Sequence, residues 1–474
     1  MKVLFIAAEG APFVKTGGLG DVIGSLPKEL NDDNVDARVV LPLYSSIDRE
    51  KYDIKFLKYI YITLGWRNLY CGIFEAELNG VKYYFIDNEQ YFKRGHVYGE
   101  MDDGERFAFF SKSALEILPH IDFKPNVINS NDWHTAMSIV YVDLFKKLGY
   151  EFFKDIKTVL SIHNIEFQGK FNPYILGNLF GLDNDYLPIM TFDGDINLLK
   201  AGIQLADKVN TVSKAYAEEI LQPYFSFGLD SVLNNEKWKL RGIVNGIDCD
   251  KFNPQKDNVI YKSYSYNTID KKVKNKLALQ KELALEVNEE IPLVGMVTRL
   301  TDQKGIDLII EVAEEIVNMG TQLVILGTGD PSLESSLRHL ENTRHDRIRS
   351  LIMFSNDLSS KIYSASDLYL MPSKSEPCGL SQLIAMRYGA IPVVNRVGGL
   401  KDTVVPYNPL TGEGTGFTFE SYNAYDMLNA VRRALDVFNT DKETWKKIMF
   451  NAMNYDSSWV KSAKEYIEMY KEIL

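Results

Sequence analysis

A lysine and three glycines lie close together near the start of the chain, in the segment Lys15-Thr16-Gly17-Gly18-Leu19-Gly20-Asp21. The segment follows an apolar run and precedes a helical pattern formed by Ile23, Leu26 and Leu30. Glycines let the backbone approach a ligand closely, and the start of a helix attracts anions. The residue order matches neither a P-loop nor the G-x-G-x-x-G dinucleotide pattern. The segment therefore predicts either an anion-binding loop or a tight turn with a solvated lysine.

Two further basic residues, Arg299 and Lys304, lie in the segment 299–305, again between an apolar run and a helical pattern. An arginine fork and a lysine point charge on one loop suit a diphosphate. The alternative is a loop with ordinary surface charges. The helix macrodipole slightly disfavours that alternative, because the start of a helix carries a partial positive charge that repels cations.

A carboxylate follows another apolar run, in the segment Ser373-Lys374-Ser375-Glu376-Pro377-Cys378-Gly379-Leu380-Ser381-Gln382. Pro377 near a helix start and the small Gly379 leave backbone N–H groups free for an anion. Glu376 is placed either to face a sugar ring or a developing positive charge, or to cap the helix. Cys378 is expected to be a packing residue, because no histidine is close to it in sequence.

Polar residues also end two other predicted strands. His163 follows the apolar run 159–162, and Asp132 and His134 follow the run 127–129. For both histidines a ligand contact and a structural role remain open. The segment 327–330, Gly-Thr-Gly-Asp, is by itself a weak nucleotide signal.

Metal binding finds little support in the sequence. The tripeptides Asp193-Gly194-Asp195 and Asp248-Cys249-Asp250 have the Asp-x-Asp spacing of metal-dependent sugar transferases, but such tripeptides are frequent and we interpret them as turns. The six histidines show no metal-ligand spacing.

Short apolar runs alternate with amphipathic helical patterns, which favours an α/β fold with parallel sheets. The predicted strands are 2–8, 37–41, 81–86, 127–129, 159–162, 208–211, 292–298, 322–326, 350–354, 368–371 and 391–394. Helical patterns include 135–148, 306–317 and 424–435. The polar stretch 253–288, with the run Lys271-Lys272-Val273-Lys274, is interpreted as the start of a second domain plus a surface connection.

Length and composition limit the class of protein. A chain of 474 residues predicts two domains, and 45% hydrophobic with 25% charged residues excludes a mainly disordered chain or a disulfide scaffold. The net charge of −11 argues against a nucleic-acid-binding protein, because such proteins carry basic surfaces. Three dispersed cysteines, an apolar start too short for a signal segment, and no apolar run of membrane-spanning length predict a cytoplasmic protein.

Ten segments, in this order, resemble those of the bacterial glycogen synthase and plant starch synthase family. They cover nearly the whole chain: 15–19, 131–135, 163–169, 199–203, 211–213, 245–248, 299–305, 327–331, 376–382 and 398–400. The resemblance implies a GT-B fold, in which two Rossmann-like doubly wound domains face a cleft. The implied domains are 1–243 and 244–456, with a C-terminal helix in 457–474 packing back on the first.

The resemblance also implies a reaction, the transfer of glucose from ADP-glucose to the non-reducing end of an α-1,4-linked glucan, with retention at the anomeric carbon. No metal ion or other cofactor, no nucleic acid and no membrane partner are implied, and the oligomeric state stays open. A cationic clamp is then needed, because the leaving diphosphate develops negative charge in the transition state.

Family roles fall on matching residues of this sequence. Arg299 and Lys304 resemble the phosphate clamp, Glu376 the glutamate beside the donor glucose, and His163 the histidine near that sugar. Lys15, with the backbone of Gly17 and Gly18, resembles a donor-phosphate contact from the opposite domain. Further implied substrate-binding residues are Cys378, Gly379, Leu380, Ser381, Asp21, Asp132 and Asn245.

Two departures from the family pattern are Lys374-Ser375, where the family has an arginine and an aromatic residue, and Met353-Phe354, where it has Gly-Tyr. They leave nucleotide preference and acceptor handling open. The alternatives are a related retaining glycosyltransferase with another donor or a small acceptor, and a catalytically silent glucan-binding homologue.

Overall fold

The computed structural model describes all 474 residues, which fold into two compact α/β units. The first unit comprises Met1–Gly246 and Trp459–Leu474, and the second comprises Ile247–Ser458. No helix is both long and apolar enough to cross a membrane.

The first unit contains twelve strands and, before the chain leaves it, nine helices. In chain order they are β1 (Lys2–Ile6), α1 (Gly18–Asp32), β2 (Asp36–Pro42), β3 (Lys55–Leu64), β4 (Arg67–Leu78), β5 (Val81–Asp87), α2 (Glu89–Phe92), α3 (Asp103–Glu116), β6 (Val127–Asn131), α4 (Asp132–Lys147), β7 (Lys157–Ile162), β8 (Lys170–Phe171), α5 (Ile175–Asn178), α6 (Leu187–Met190), β9 (Thr191–Phe192), β10 (Asp195–Asn197), α7 (Leu198–Leu205), β11 (Lys208–Thr211), α8 (Lys214–Glu219), α9 (Asp230–Asn235) and β12 (Leu240–Gly242).

Nine of these strands form one sheet in the order β12-β11-β7-β6-β1-β2-β5-β4-β3. The seven strands from β12 to β5 pair in parallel, and β4 and β3 add an antiparallel hairpin at one edge. Most residues of the parallel strands β1, β2, β5, β6 and β7 are buried, because helices cover both faces of such a sheet. β8, β10 and β9 form a separate small antiparallel sheet.

The second unit contains eight helices and six strands. They are α10 (Val273–Glu282), β13 (Leu293–Val297), α11 (Ile306–Asn318), β14 (Gln322–Leu326), α12 (Pro331–Thr343), β15 (Ile348–Leu351), α13 (Asn356–Ala365), β16 (Leu368–Met371), α14 (Ser381–Arg387), β17 (Ile391–Asn395), α15 (Gly398–Thr403), β18 (Phe417–Phe419), α16 (Ala424–Thr440) and α17 (Lys442–Met453). The strands form an all-parallel sheet in the order β15-β14-β13-β16-β17-β18.

Two sequence expectations need correction in this unit. The strand expected at 350–354 is β15, which ends at Leu351; Met353 and Phe354 are exposed beyond it, and Ser355 caps the next helix. The lysine-rich run is not a surface connection throughout, since Lys272 is buried and donates to the carbonyls of Tyr363 and Ser364.

The last helix, α18 (Trp459–Lys471), belongs to the first unit, where it packs against α1. Two buried tyrosines fix it to the parallel sheet. Asn210 Nδ2 on β11 donates to Tyr466 Oη at 2.9 Å, and Tyr470 Oη donates to Asn129 Oδ1 on β6 at 2.7 Å.

Candidate active site

Polar residues of the first unit gather where the neighbouring strands β6 and β7 end. The side chain of Asp132 accepts the backbone N–H of His163 at 2.7 Å and that of Asn164 at 3.4 Å. His163 Nε2 lies 2.9 Å from Asn131 Oδ1. The carboxyl edge of a parallel sheet is the usual ligand site in such folds, so Asp132 and His163 stand where the sequence predicts chemistry.

The protonation states of this pair follow from burial. Desolvation raises the pKa of Asp132 to about 7, although the two N–H donors oppose that shift. Desolvation lowers the pKa of His163 to about 4, so its ring is neutral at physiological pH. Asn131 Nδ2 donates to the carbonyls of Ile6 and Asn129, which turns its oxygen toward His163. Nε2 of His163 therefore carries the proton, and Nδ1 is an acceptor.

The lysine–glycine loop, residues 15–17, and the first turn of α1 are organised by Glu9, a buried residue that follows β1. Its carboxylate accepts the Thr16 N–H, the Thr16 hydroxyl at 2.6 Å and the Gly20 N–H at 3.2 Å. Lys15 Nζ lies 2.7 Å from Asp21 Oδ1 across the start of α1. Sequence reasoning missed Glu9; the available signal was an acidic residue directly after a buried strand.

In the second unit the structure brings Lys304 and Glu376 together. Lys304 Nζ lies 2.6 Å from Glu376 Oε2, and the two side chains are only 16% and 7% exposed. Ser373 Oγ donates to the same carboxylate oxygen at 2.9 Å. Lys304 follows β13 and Glu376 follows β16, which is its neighbour in the sheet. The two side chains lie close together because both strands end at the same carboxyl edge of the sheet.

Arg299 lies on the same loop as Lys304, but it is exposed and its guanidinium forms no ion pair or hydrogen bond. The left-handed residue Gly305, with φ 72°, ends the loop, and a Cβ there would stand 2.1 Å from the Pro372 carbonyl oxygen. The loop is therefore locked against the end of β16, with one of its cations paired and the other exposed.

The backbone of residues 378–381 leads into α14 through Gly379, which has φ 74°. Gln382 Nε2 donates to the carbonyls of Cys378 and Gly379 at 3.1 and 2.9 Å and to Thr403 Oγ1 at 3.0 Å. Gln382 thus holds the turn, a role that its sequence position alone did not reveal. Cys378 is buried, as expected of a packing residue.

The remaining candidates have structural explanations or stand alone. His134 is buried and stacks on Trp133 with ring centroids 4.1 Å apart, which is a packing role. Asp193 and Gly194 have positive φ, and Asp248 caps its own turn, so both Asp-x-Asp tripeptides are turns. Asn245 is buried in the first unit, and its Oδ1 has no hydrogen-bond partner. No group of His, Cys, Asp or Glu is arranged to hold a metal ion.

Comparisons with known families and curated proteins agree on one assignment. Residues 2–235 match the family described as starch synthase catalytic domain, and residues 280–447 match glycosyl transferases group 1. Glycogen synthase of Clostridium botulinum (strain Alaska E43 / Type E3) is 50% identical over 100% of this chain and 99% of the relative. Glycogen synthase of Clostridium perfringens (strain 13 / Type A) is 49% identical over 100% of this chain and 98% of the relative.

Solved structures similar to this chain support the same family and fold. The catalytic domain of starch synthase IV from Arabidopsis thaliana, bound to ADP and acarbose, superposes with a TM-score of 0.92 at 34% identity, covering 99% of both chains. Sucrose-phosphate synthase from Thermosynechococcus elongatus, at 17% identity, 100% and 98% coverage and a TM-score of 0.63, shares the fold alone. The expected α/β fold of the GT-B class is confirmed. The chain is a glycosyltransferase, and it belongs to the bacterial glycogen synthase and plant starch synthase family.

Proposed function

We propose that this chain elongates α-1,4-linked glucan by transferring glucose from ADP-glucose to the non-reducing end, with retention at the anomeric carbon. The observation that carries the proposal is the cluster at the ends of β13 and β16, where Lys304, Glu376 and the exposed Arg299 lie on adjoining loops. Three comparisons support the proposal: the match to the starch synthase family, the 50% sequence identity to a glycogen synthase, and the similarity to a starch synthase whose structure was solved with ADP and acarbose.

In this proposal Arg299 and Lys304 bind the donor diphosphate and stabilise the charge it gains as the bond to glucose breaks. The exposed guanidinium of Arg299 has all its donors available for phosphate oxygens. Lys304 already gives one N–H to Glu376, and an ammonium has two more donors. Glu376 orients Lys304 and lies beside the glucose, while the backbone of Cys378, Gly379 and Leu380 contacts sugar hydroxyls and Ser381 contacts the diphosphate.

The first unit supplies the other proposed contacts. Lys15, with the backbone of Gly17 and Gly18, binds donor phosphate, and the neutral ring of His163 accepts a sugar hydroxyl at Nδ1. Asp132 holds the backbone of His163 in place through its N–H. Asp21 and Asn245 are assigned to substrate binding, Asp21 through its ion pair with Lys15 and Asn245 through its unpaired oxygen.

No metal ion or other cofactor is part of the proposal, because Arg299, Lys304 and Lys15 supply the positive charge that the leaving diphosphate needs. Turnover is therefore expected to be unchanged by EDTA. We place the reaction in the cytoplasm, with no membrane or nucleic-acid partner. The buried thiols of Cys71 and Cys378 are suited to that reducing compartment.

The test is incorporation of labelled glucose into precipitated glycogen, with ADP-glucose in one tube and UDP-glucose in a parallel tube. Incorporation that depends on ADP-glucose is the expected result. Incorporation from UDP-glucose alone would keep the chemistry and refute the donor. No incorporation from either donor by folded protein would refute the proposal.

A further inference from the structure

The hydroxyl of Tyr369 lies where the two strands that lead to Lys304 and Glu376 separate. β13 and β16 pair at two positions, Val294 with Leu368 and Gly295 with Tyr369. Two residues further along β13, the N–H of Val297 donates to Tyr369 Oη at 3.0 Å, and Tyr369 Oη donates to the carbonyl of Val297 at 3.0 Å. One side chain thus satisfies both backbone groups of a residue for which the pairing with β16 has ended.

This hydroxyl is held rigidly and keeps its proton. Tyr369 is completely buried, and its ring packs against that of Tyr363 with centroids 5.1 Å apart. Burial raises the pKa of the Tyr369 phenol well above its ordinary value. A protonated phenol has one hydrogen to donate and can also accept. Both bonds to Val297 therefore persist throughout the physiological pH range.

The same hydroxyl also contacts the start of α14. The side chain of Ser381, the first residue of that helix, hydrogen-bonds to the Tyr369 hydroxyl. Ser381 is proposed to contact the donor diphosphate, and Val297 lies two residues before Arg299. One buried oxygen therefore connects the two segments of this unit that carry Arg299 and Ser381.

The segment 298–300 is fixed differently on its two sides. Toward β14, the N–H of Thr298 donates to the carbonyl of Leu326 at 3.0 Å, and the N–H of Leu300 donates to the carbonyl of Thr328 at 2.9 Å. Toward β16, the chain is held just before this segment by the hydroxyl of Tyr369. Removing that one oxygen atom would leave the segment anchored at this point on the β14 side alone.

We propose that Tyr369 is a positioning residue for the donor diphosphate, and that its hydroxyl fixes the spacing between Arg299 and Ser381 before the donor binds. The inference rests on the proposed function, since it assumes that these two residues bind the diphosphate. Tyr369 itself is completely buried, so it acts through these residues and not on the substrate. Groups that are held in place in advance stabilise a developing charge without reorganising, so losing this spacing weakens both donor binding and turnover.

The test compares Tyr369→Phe with Tyr264→Phe, a matched variant that removes another buried hydroxyl from the same unit. Tyr264 Oη donates to the carbonyl of Tyr388 at 2.7 Å, just beyond the other end of α14. Both variants keep the aromatic ring, and both should unfold at a lower urea concentration than the unmodified protein. We expect kcat/KM for ADP-glucose to fall by about tenfold to a hundredfold in Tyr369→Phe alone, with KM for glycogen unchanged in both variants.

Calorimetric binding of ADP and AMP separates positioning from a general loss of structure. The two nucleotides differ by one phosphate, so Tyr369→Phe should lose about tenfold in affinity for ADP and less for AMP. Hydrogen exchange in the unmodified protein gives a check that needs no variant to fold. The amide of Val297 should be protected before ADP is added, because its partner is already in place.

Three results would overturn the proposal. They are an unchanged kcat/KM and an unchanged preference for ADP over AMP in Tyr369→Phe, an equal loss of kcat/KM in Tyr264→Phe, and a Val297 amide that becomes protected only when ADP is bound. A different result would overturn the proposed function. If the unmodified protein transfers glucose from no donor while Tyr369→Phe still loses its preference for ADP over AMP, the proposed function fails and the positioning role stands.

Discussion

Replacing Lys304 by methionine tests whether the ammonium acts on the substrate or only neutralises Glu376. Methionine retains much of the length of lysine but removes the charge. In the structure the ammonium lies 2.6 Å from a carboxylate that is almost completely buried. The substitution therefore removes both a partner of Glu376 and a cation of the proposed diphosphate site.

Two magnitudes follow. Breaking a largely buried ion pair destabilises a protein by about 3 kcal/mol, toward the low end here because Ser373 still donates to the carboxylate. A unit charge about 4 Å from another at an effective dielectric constant of about 20 interacts by roughly 4 kcal/mol. Only the increase in this interaction energy between the bound donor and the transition state, where the leaving group gains charge, lowers the barrier. We therefore expect kcat to fall by about a hundredfold to a thousandfold.

A double-mutant cycle with Glu376→Gln separates the two roles. Unfolding in urea should show that Glu376→Gln recovers much of the stability that Lys304→Met loses, because the carboxylate is no longer left unpaired. Initial rates with ADP-glucose and glycogen should show no recovery of kcat in the double variant. A kcat of Lys304→Met close to that of the unmodified protein, or its return in the double variant, would refute a direct role for Lys304.

Three further predictions concern the remaining parts of the two clusters. The pKa of Asp132 is about 7 in the folded protein, above its ordinary value of 3.8. The carboxyl group therefore stabilises the fold fully below about pH 4, and this contribution is lost as the pH rises to about 7. Between these two pH values the free energy of unfolding of Asp132→Asn, measured in urea, should rise by about 4 kcal/mol relative to that of the unmodified protein. Because burial lowers the pKa of His163 to about 4, its ring signals in NMR should show no titration near pH 6.5, and a step there would contradict the neutral-ring assignment. Glu9→Ala removes three hydrogen bonds from the Lys15 loop and should raise KM for ADP-glucose about tenfold while lowering unfolding free energy by about 2 kcal/mol, whereas an unchanged KM would show that Glu9 does not organise the loop.

The sequence predicted most of the parallel strands, because burial on both faces leaves mainly apolar runs, but it missed the three-residue strands β12 and β18. The runs 208–211, 322–326 and 368–371 coincide with β11, β14 and β16, and the others differ mainly at their ends. The displaced strand at 350–354 has a simple cause. Apolar character continues through Met353 and Phe354, but pairing with β14 ends at Leu351.

The hairpin β3–β4 was not predicted, and its exposure explains why. A half-buried strand normally alternates apolar and polar residues, but the outer face here is aromatic, so the period-two signal is lost.

The candidate site was predictable as a set of residues but not as a set of contacts. The order of loops after apolar runs placed Lys304 and Glu376 at strand ends, since carboxyl ends gather at one edge of a parallel sheet. Neither the direct ion pair between them nor the three bonds made by Glu9 could be derived, because both depend on side chains separated along the chain. Gln382 lay inside a predicted segment, yet its three bonds became visible only in the structure.

The two lysines of the proposed site differ in how they can serve a diphosphate. Lys15 and Asp21 are both partly exposed, and such a pair contributes about 1 kcal/mol or less, so Lys15 can exchange its carboxylate for a phosphate. Lys304 cannot, because leaving Glu376 would strand a buried carboxylate at a cost of several kcal/mol. In the proposed site, Lys304 therefore binds phosphate with its two remaining N–H groups while it still holds Glu376. The ion pair then fixes the position of the ammonium before the donor arrives, which is what stabilisation of a developing charge requires.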